Sequence, residues 1–476
     1  MQSAAYCPVY TKLFWYYLKQ KEISQTPRNP HLSDLIYFRS KQSIKFMRYD
    51  TINNELFKLN RKNFTKQMKK NSLAVFVSND IVTRSADSSY NWRQNPDLFY
   101  LTGIDQEETF LILFPDAPEA KYREVLFSRK TNDYLMWWEG KKHSIESAQR
   151  TSGIETVIWS DQFDSIFNML MHYADNVYLN TNEHDRSISM GDATEVKFAR
   201  KVIHDFPLHK YERSAPIMHD LRAAKSNYEV ALLNRAMDIT KKGFIRSLKT
   251  IKPGIWEFEI EAALTHEYVT NRATGHAYTP IIATGENACV LHYISNDAQC
   301  KAGELVLMDA AAEYANYNAD LTRTVPVDGR FTKRQKDVYN AVLHVHREVK
   351  DMMKAGVILN ELNIEAGKLM EAELIKLKLL NKADVKKQDK ALPLFKKYFP
   401  HGTSHFLGLD VHDLGNRFEK LKSGAVLTVE PGIYIREEKL GIRIENNILV
   451  TNGKPVDLMA NIPIEVEEIE DIMNTK

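Results

Sequence analysis

The spacing of apolar positions in the first half of the chain predicts buried strands that alternate with helices. Residues 73–77 (LAVFV) and 110–114 (FLILF) are short apolar runs bounded by polar turn formers, which is typical of buried strands. Residues 122–127 and 177–179 predict further strands, and the apolar spacing over about 162–173 predicts a helix. Strands that alternate with helices in this way indicate an α/β region.

Two helix-start signals mark the second half of the chain. Ser226 and Thr332 are each followed three residues later by Glu or Gln, which is the capping-box arrangement that begins a helix. Each of these helices is followed by another helical pattern and then by strand-like sequence, which gives a weak indication of a duplicated unit. The second helices are expected at about residues 255–271 and 362–380, and the strand regions at 280–325 and 405–450.

The composition of the 476-residue chain excludes several classes of function. Hydrophobic residues make up 43% and charged residues 26%, which is typical of a soluble globular protein of two or three domains. A formal net charge of +2 gives no reason to expect a nucleic-acid or membrane partner. The three cysteines are too scattered for a disulfide framework or a zinc cluster, which favours a reducing, cytoplasmic location.

The first 46 residues differ from the rest in their charge. They contain seven Lys or Arg residues against one Glu and one Asp, and the apolar run at 13–18 is too short for a signal peptide. A mitochondrial presequence is one interpretation, and the favoured one is a disordered or non-native start before Met47. We therefore divide the chain into an extension (1–46), an N-terminal α/β domain (47–217) and a C-terminal α+β domain (218–476).

Two aspartates of the second half stand next to strand-like segments. Asp309 follows the apolar run 305–308, where an unpaired carboxylate costs several kcal/mol. Asp320 comes eleven residues later, just before another strand-like segment. A hairpin that turns within residues 314–318 would bring the two carboxylates together.

Two glutamates and an arginine occupy similar surroundings nearer the C-terminus. Glu430 ends the apolar run 425–429 and precedes a Pro-Gly turn signal. Arg443 and Glu445 are two residues apart in a strand-like segment, so the period of two places both side chains on one face.

Four carboxylates at the ends of apolar strands repel each other, and a bound cation removes that cost. Oxygen ligands with one imidazole suit a hard or borderline divalent ion, with Mn²⁺ first and Zn²⁺, Co²⁺ or Fe²⁺ as rivals. Four carboxylates can also hold two ions roughly 3.5–4 Å apart. A single buried Asp or a single His is more often structural, so the hypothesis of a metal site depends on the joint pattern.

Four histidines are candidates for the imidazole ligand. His401, His405 and His412 lie in one segment, FPHGTSHFLGLDVHD, and His292 lies in GENACVLHY. The spacing of His401 and His405 would suit two ligands on a helix, but the neighbouring Pro and Gly residues favour a strand or loop. At most one imidazole is then needed as a ligand, and the others are available to hold substrate or move protons.

Several of these segments resemble motifs of the pita-bread metallopeptidases, and most closely those of their Xaa-Pro aminopeptidase (aminopeptidase P) branch. The resemblance extends from about residue 47 to residue 470 and implies an α+β fold, with a pita-bread catalytic domain behind an N-terminal α/β creatinase-like domain. Its motifs are WRQNPDLFYLTGID, ATGENACVLHY, VLMDAAAEYANYNADLTRTVPVDGRFT, HGTSHFLGLDVHD, LTVEPGIYI and GIRIENNILV.

By this resemblance, five side chains bind two divalent metal ions. Asp309 is implied to chelate one ion, and Asp320 and Glu445 to span both. His405 and Glu430 complete the implied set of ligands.

The resemblance also implies roles in contact with the substrate. His292 and His412 are the implied substrate-side histidines, which support the tetrahedral intermediate, and His401 lines the pocket for the proline ring. Arg443 is the implied arginine beside the metal site, and Glu430 is a candidate proton carrier as well as a ligand.

The implied activity is hydrolysis of the N-terminal Xaa-Pro bond of peptides by hydroxide activated at a dinuclear metal centre. Peptides with proline in second place are the implied substrates, and a homodimer or homotetramer is the implied assembly, in which the N-terminal domain narrows access to the site. The alternatives are a prolidase that cleaves Xaa-Pro dipeptides and, less favoured, a non-catalytic peptide-binding relative or a metal-free hydrolase of the creatinase type.

Overall fold

Short apolar strands of the first half assemble into one mixed sheet with helices around it. The computed structural model describes residues 48–187 and 193–475, so the proposed extension over residues 1–46 lies outside the described residues. In chain order the first half contains α1 (Glu55–Gln67), β1 (Ser72–Val77), β2 (Thr83–Ser85), β3 (Ser88–Ser89), α2 (Pro96–Thr102), β4 (Phe110–Leu113), β5 (Glu124–Ser128), α3 (Asp133–Glu139), α4 (Ile145–Ser152), β6 (Thr156–Trp159), α5 (Phe163–Met171), β7 (Asn176–Leu179), α6 (Thr194–Asp205) and β8 (Lys210–Arg213).

Strand β1 lies inside this sheet, whose strand order is β6–β5–β4–β1–β7–β8. It runs antiparallel to β4 and parallel to β7, and all of its residues are buried. Alternate side chains of β1 enter opposite layers, since Phe76 packs on Phe64 of α1 with ring centroids 5.2 Å apart. Val75 instead joins an apolar cluster that contains Phe163 of α5. Helices therefore cover both faces, which confirms the α/β architecture predicted for this region.

The edge strands of the sheet were harder to predict than its centre. The strands predicted at 73–77, 110–114, 122–127 and 177–179 are confirmed within a few residues. Strand β8 was not predicted, because none of its residues is buried and its sequence KYER has no apolar alternation. It forms through parallel pairing with β7, a contact that the local sequence does not encode.

Both capping boxes of the second half are present. The Ser226 hydroxyl accepts the N–H of Glu229, whose carboxylate accepts the Ser226 N–H at 2.8 Å, and Thr332 and Gln335 repeat the arrangement. The remaining elements are α7 (Ala215–Ala223), α8 (Asn227–Thr250), α9 (Glu257–Thr270), β9 (Gly275–His276), β10 (Ile281–Thr284), β11 (Leu305–Asp309), β12 (Ala312–Tyr314), β13 (Tyr317–Asn318), β14 (Thr322–Pro326), α10 (Lys333–Met352), α11 (Leu359–Lys376), α12 (Lys382–Val385), β15 (Val426–Val429), β16 (Gly432–Ile435), β17 (Leu440–Arg443), β18 (Asn446–Leu449), β19 (Val456–Asp457) and α13 (Val466–Asn474).

The order helix, helix, antiparallel strands occurs twice, as the sequence indicated. Helices α8 and α9 pack together and precede the sheet β10–β11–β14, and helices α10 and α11 pack together and precede the sheet β15–β18–β19. Strand β17, which pairs with β16, contacts both β11 and β14. The strands of the two repeats therefore meet, and their ends surround the site described below.

The connection between the two halves is a helix. The proposed boundary between residues 217 and 218 falls inside α7 (Ala215–Ala223), and the described residues all belong to one compact unit. The boundary itself stays a prediction. Among the helices within 48–187 and 193–475, none is long and apolar enough to cross a membrane.

Candidate metal centre

A β-hairpin places Asp309 and Asp320 side by side. Asp309 is the last residue of β11, which pairs antiparallel with β14, and Asp320 lies just before β14. The β12–β13 hairpin between them turns at Ala315 and Asn316, whose φ angles of 53° and 65° are the left-handed values that a tight hairpin turn requires. The hairpin predicted from the sequence is confirmed.

Glu430 and Glu445 each follow the end of a strand of the second repeat. The backbone N–H of Glu430 donates to the Thr403 carbonyl at 2.8 Å, and that of Glu445 donates to the Thr322 carbonyl at 3.1 Å. The Thr322 hydroxyl donates to Glu445 Oε2 at 2.7 Å and accepts from Arg443 Nε at 3.1 Å. Arg443 and Glu445 therefore share a face as predicted, although the strand is interrupted between them.

His405 presents one ring nitrogen to these carboxylates. Its Nδ1 lies 2.9 Å from the Phe406 carbonyl, and a carbonyl only accepts, so Nδ1 carries a proton and Nε2 faces the acids. Nε2 lies 3.4 Å from Asp320 Oδ2 and 3.7 Å from Glu430 Oε1. This is the orientation in which an imidazole serves as a metal ligand.

The structure brings the five predicted ligands together. One potential ligand atom from each of Asp320, His405 and Glu445 lies within 4.8 Å of the other two. Glu430 lies against His405, and Asp309 is joined to Asp320 through a shared hydrogen-bond partner. Glu430 is the most exposed of the set, and its side chain is only 21% exposed. No member of the set points into open solvent.

Crowding and burial shift the protonation of the cluster. Burial, together with the negative charge of Asp320, raises the pKa of Glu430 to about 7. Burial and the neighbouring carboxylates raise the pKa of Glu445 well above its ordinary value. Burial also raises the pKa of Asp309, although the charge of Arg443 opposes it. A bound cation would relieve the part of these shifts that comes from repulsion among the carboxylates.

The Tyr278 hydroxyl shows the same shortage of positive charge. It lies 2.6 Å from Asp309 Oδ1 and 2.7 Å from Asp320 Oδ1. A hydroxyl has one proton to donate, so its second contact requires a protonated carboxyl group or a relaxation around a cation. Carboxylate oxygens with one imidazole are also the donors that hard and borderline divalent ions prefer, and the residues present therefore fit such an ion.

A chain of hydrogen bonds surrounds the acids on one side. The Arg443 guanidinium donates to Asp309 Oδ2 at 2.6 Å and to the Tyr434 hydroxyl at 2.9 Å. Tyr434 lies 2.8 Å from His401 Nε2, and His401 Nδ1 lies 2.7 Å from the Gly402 carbonyl. Burial, with the charge of Arg443, lowers the pKa of His401 to about 3, so this imidazole is neutral.

The two remaining candidate histidines are exposed. The His412 ring lies perpendicular to the His405 ring with centroids 4.4 Å apart, and it also lines a cavity of about 410 Å³ that Asn180 of the N-terminal region borders. Although part of the residue is exposed, the atoms packed around its ring partly desolvate it, and together with the charge of His405 this lowers the pKa of His412 to about 3. His292 is exposed and lies near enough for its charge to act on His401.

Three residues of the site were missed by sequence analysis. Tyr278 bridges two candidate ligands, Thr322 orients one, and Tyr434 joins Arg443 to His401. Thr322 and Tyr434 lie inside motifs that were recognised, but an uncharged side chain at a strand position carries no separate signal. Tyr278 precedes β10 in an unremarkable segment, and its role depends on the register of β10 and β11.

Comparison with known families agrees with this geometry. Residues 231–452 match the model of metallopeptidase family M24, and residues 57–178 match that of the aminopeptidase P N-terminal domain. The first match contains all five candidate ligands, and the second contains the strands β1 to β6.

Individual relatives cover nearly the whole described chain. The Xaa-Pro aminopeptidase of Escherichia coli (strain K12) is 33% identical over 436 residues, which cover 89% of this chain and 98% of that protein. The solved structure of E. coli aminopeptidase P with the inhibitor Pro-Leu matches with a TM-score of 0.79 at 31% identity, and that of the zinc-substituted E. coli enzyme in complex with product with 0.79 at 32%; each covers 89% of this chain and 99% of the E. coli chain. The chain therefore belongs to the aminopeptidase P family of M24 metallopeptidases, and it is a metal-dependent aminopeptidase with a pita-bread catalytic domain behind an aminopeptidase P N-terminal domain.

Proposed function

We propose that this aminopeptidase hydrolyses the bond between an N-terminal residue and a proline in second place. The observation that carries the proposal is the convergence of Asp309, Asp320, His405, Glu430 and Glu445. The name of the E. coli relative and the Pro-Leu inhibitor bound to its solved structure support the substrate class.

Two divalent ions are proposed to occupy the site, with Mn²⁺ as the first choice and Zn²⁺, Co²⁺ or Fe²⁺ as rivals. The five side chains would hold them, since four carboxylates supply enough oxygens for two ions. When bound, such ions supply Lewis acidity, which lowers the pKa of water and polarises a carbonyl. The structure of a zinc-substituted E. coli aminopeptidase P supports a divalent-metal site in this family.

The protein groups around the ions are proposed to orient the substrate and move protons. Glu430, whose carboxylate lies against His405, is placed to accept a proton and return it during turnover. The neutral imidazole of His412 and the exposed imidazole of His292 can hydrogen-bond the peptide at the scissile bond. Arg443 holds Asp309 in place, and the neutral ring of His401 offers a surface for the proline ring.

Three peptides with the same N-terminal residue test the proposal: Xaa-Pro-Xaa, Xaa-Ala-Xaa and the dipeptide Xaa-Pro. Metal-loaded protein is expected to release the first residue from Xaa-Pro-Xaa at least about tenfold faster than from the other two, because Xaa-Ala-Xaa lacks the proline ring that His401 is proposed to contact and Xaa-Pro lacks the residue after proline. The His405→Ala variant should lose this activity. Faster cleavage of the dipeptide would instead indicate a prolidase, and no cleavage of any peptide would refute the proposal.

A homodimer or homotetramer is the proposed assembly. On helix α3, Tyr134, Trp137 and Trp138 are 70%, 89% and 75% exposed, respectively. A cluster of large, exposed aromatic side chains is typical of a surface that contacts another protein chain. Light scattering should give two or four times the chain mass, and Trp137→Ser should shift the population towards smaller species. A monomer at all concentrations would contradict the proposal.

A reducing, cytoplasmic compartment is the proposed location, with mitochondria as the alternative. Cys289 and Cys300, the cysteines within the described residues, are both buried free thiols. Fractionation of cells that express a C-terminally tagged chain would distinguish the two compartments.

A further inference from the structure

The segment 406–414, which we call the histidine loop, carries His412 and contains two acidic side chains. Asp410 and Asp413 flank His412 in the sequence. The loop closes on itself, because the N–H of Asp413 donates to the Phe406 carbonyl at 2.9 Å and that of Gly408 donates to the Asp410 carbonyl at 3.0 Å. Both acids form ion pairs with cations that belong to other parts of the chain.

Arg222, in the helix α7 that connects the two domains, contacts three carboxylates. Its guanidinium lies 2.8 Å from Asp97 Oδ1 and 2.7 Å from Asp410 Oδ2, and it also hydrogen-bonds Asp413. Asp97 belongs to α2 of the N-terminal domain, whereas Asp410 and Asp413 flank His412. The Arg222 side chain is only 4% exposed, and charge-assisted bonds are strongest where water is excluded.

Two more cations hold the same loop. Lys225 Nζ lies 2.8 Å from Asp413 Oδ2, and both side chains are 1% exposed. Arg93 of the N-terminal domain lies 3.4 Å from Asp410 Oδ1 and donates to the Leu409 carbonyl. The loop is therefore held from the N-terminal domain and from the connection between the domains.

The histidine loop is tightly packed against this ion-pair cluster. A Cβ atom at Gly408 would overlap the Asp413 carboxylate and the Lys225 side chain, so the loop backbone lies directly against the pair. Burial alone would raise the pKa of Asp413, but the charges of Arg222 and Lys225 outweigh burial and hold it at about 2. Asp413 is therefore ionised at neutral pH.

We propose that Arg222 is a positioning residue that couples the N-terminal domain to His412. Its bonds to Asp97 on one side and to Asp410 and Asp413 on the other fix the histidine loop, and with it the imidazole that meets the peptide. The inference rests on the proposed function, since it takes His412 as a substrate-side residue. By this inference the N-terminal domain helps to position a catalytic-site histidine, although none of the five proposed ligands lies in that domain.

Loss of the Arg222 guanidinium would release this connection. Asp410 and Asp413 would lose the cation that they share, and their mutual repulsion would shift the histidine loop. A misplacement of a catalytic group by about 1 Å can cost on the order of 100-fold in rate. Because His412 is proposed to support the tetrahedral intermediate, its displacement should lower kcat while KM changes little.

A double-mutant cycle tests the coupling. Arg222→Gln, His412→Ala and the double variant are compared with wild-type, metal-loaded protein on an Xaa-Pro-Xaa peptide, with metal content measured for each. Arg222→Gln should lower kcat by about 10- to 100-fold. In the His412→Ala background the same substitution should lower kcat no further, because Arg222 acts through His412. Equal losses in both backgrounds, or no loss in the single variant, would overturn the proposal.

A buried arginine elsewhere provides the matched control. Arg61 is 1% exposed and pairs with Glu124 at 2.9 Å within the N-terminal domain. Arg61→Gln should destabilise the protein but keep kcat within about twofold. An equal loss of kcat in Arg61→Gln would assign the effect to general destabilisation and overturn the positioning role.

If Arg222→Gln does not fold, Asp97→Asn enters the same cycle, because it removes the negative charge that pairs with Arg222 in the N-terminal domain and leaves Asp410 and Asp413 paired. Loss of kcat only in the presence of His412 supports the proposal, and unchanged kcat overturns it. Inactive wild-type protein would count against the proposed function, whereas active wild-type protein with additive losses would count against Arg222 alone.

Discussion

At the scale of single residues, Tyr278 shows how the site depends on uncharged groups. Its hydroxyl contacts both Asp309 and Asp320, and Tyr278→Phe removes those bonds while the ring stays. We expect kcat to fall about 10- to 100-fold, since a hydrogen bond to a charged group contributes roughly 1.5–3 kcal/mol. Steady-state kinetics at equal metal content check this. Unchanged kcat would show that the hydroxyl does not orient the two carboxylates.

Glu430 makes the stability of metal-free protein depend on pH. Its pKa of about 7 in the folded state lies above the value of about 4.3 for a free glutamate. The folded state therefore keeps this proton up to a higher pH than the unfolded state does. The folded state is therefore favoured relative to the unfolded state at low pH, and this advantage is lost as pH rises from about 4.3 through about 7.

The expected size of this effect is on the order of 2–3 kcal/mol between pH 5 and pH 8 for EDTA-treated protein. Glu430→Gln should remove this part of the loss, because an amide does not ionise, and should leave the part that Glu445 and Asp309 cause. Thermal melting of both proteins at four pH values checks the prediction. Identical pH slopes for wild type and variant would contradict it.

The charged residues of the site could be predicted, and their neutral partners could not. Asp309 and Glu430 stand out because an acid at the end of an apolar run is costly. Tyr278 and Thr322 act through contacts with residues 31 and 123 positions away in the chain. Such contacts depend on how strands pair, which the spacing of apolar residues does not specify.

At the scale of elements, the turn that joins β12 to β13 supports both aspartates. Asn316 has a φ of 65°, which alanine adopts at a cost of roughly 1 kcal/mol and glycine adopts freely. Asn316→Ala should therefore be about 1 kcal/mol less stable than Asn316→Gly. Both variants lose the side-chain bond to Asp105, so urea unfolding of the two isolates the backbone term. Equal stabilities would show that the turn is not strained in this way.

Elements with a strong local pattern were predictable, and elements set by their neighbours were not. Strand β1 is buried on both faces and appears as an apolar run, whereas β8 forms only through pairing with β7. The strand-like segment around Arg443 is divided because the chain moves from β16 to β15 as its pairing partner. Its local sequence shows no break, and almost every residue of the two parts is buried.

At the scale of the whole molecule, the repeated order of helices and strands followed from the sequence, but the join between domains did not. The two capping boxes and the motifs located the repeats. The ion pair between Arg93 and Asp410 connects residues 317 positions apart, and each charge alone resembles an ordinary surface residue. Interactions across the domains therefore became visible only in the folded structure.

The most direct test of the metal centre is the number of ions that the folded protein binds. We expect elemental analysis after dialysis against Mn²⁺ to give about two ions per chain in the wild type, since four carboxylates and one imidazole supply ligands for a pair. Asp320→Asn, checked by circular dichroism, should retain fewer than about one. Wild-type protein that cleaves an Xaa-Pro-Xaa peptide without bound metal, or an Asp320→Asn variant with unchanged metal content, would contradict the account.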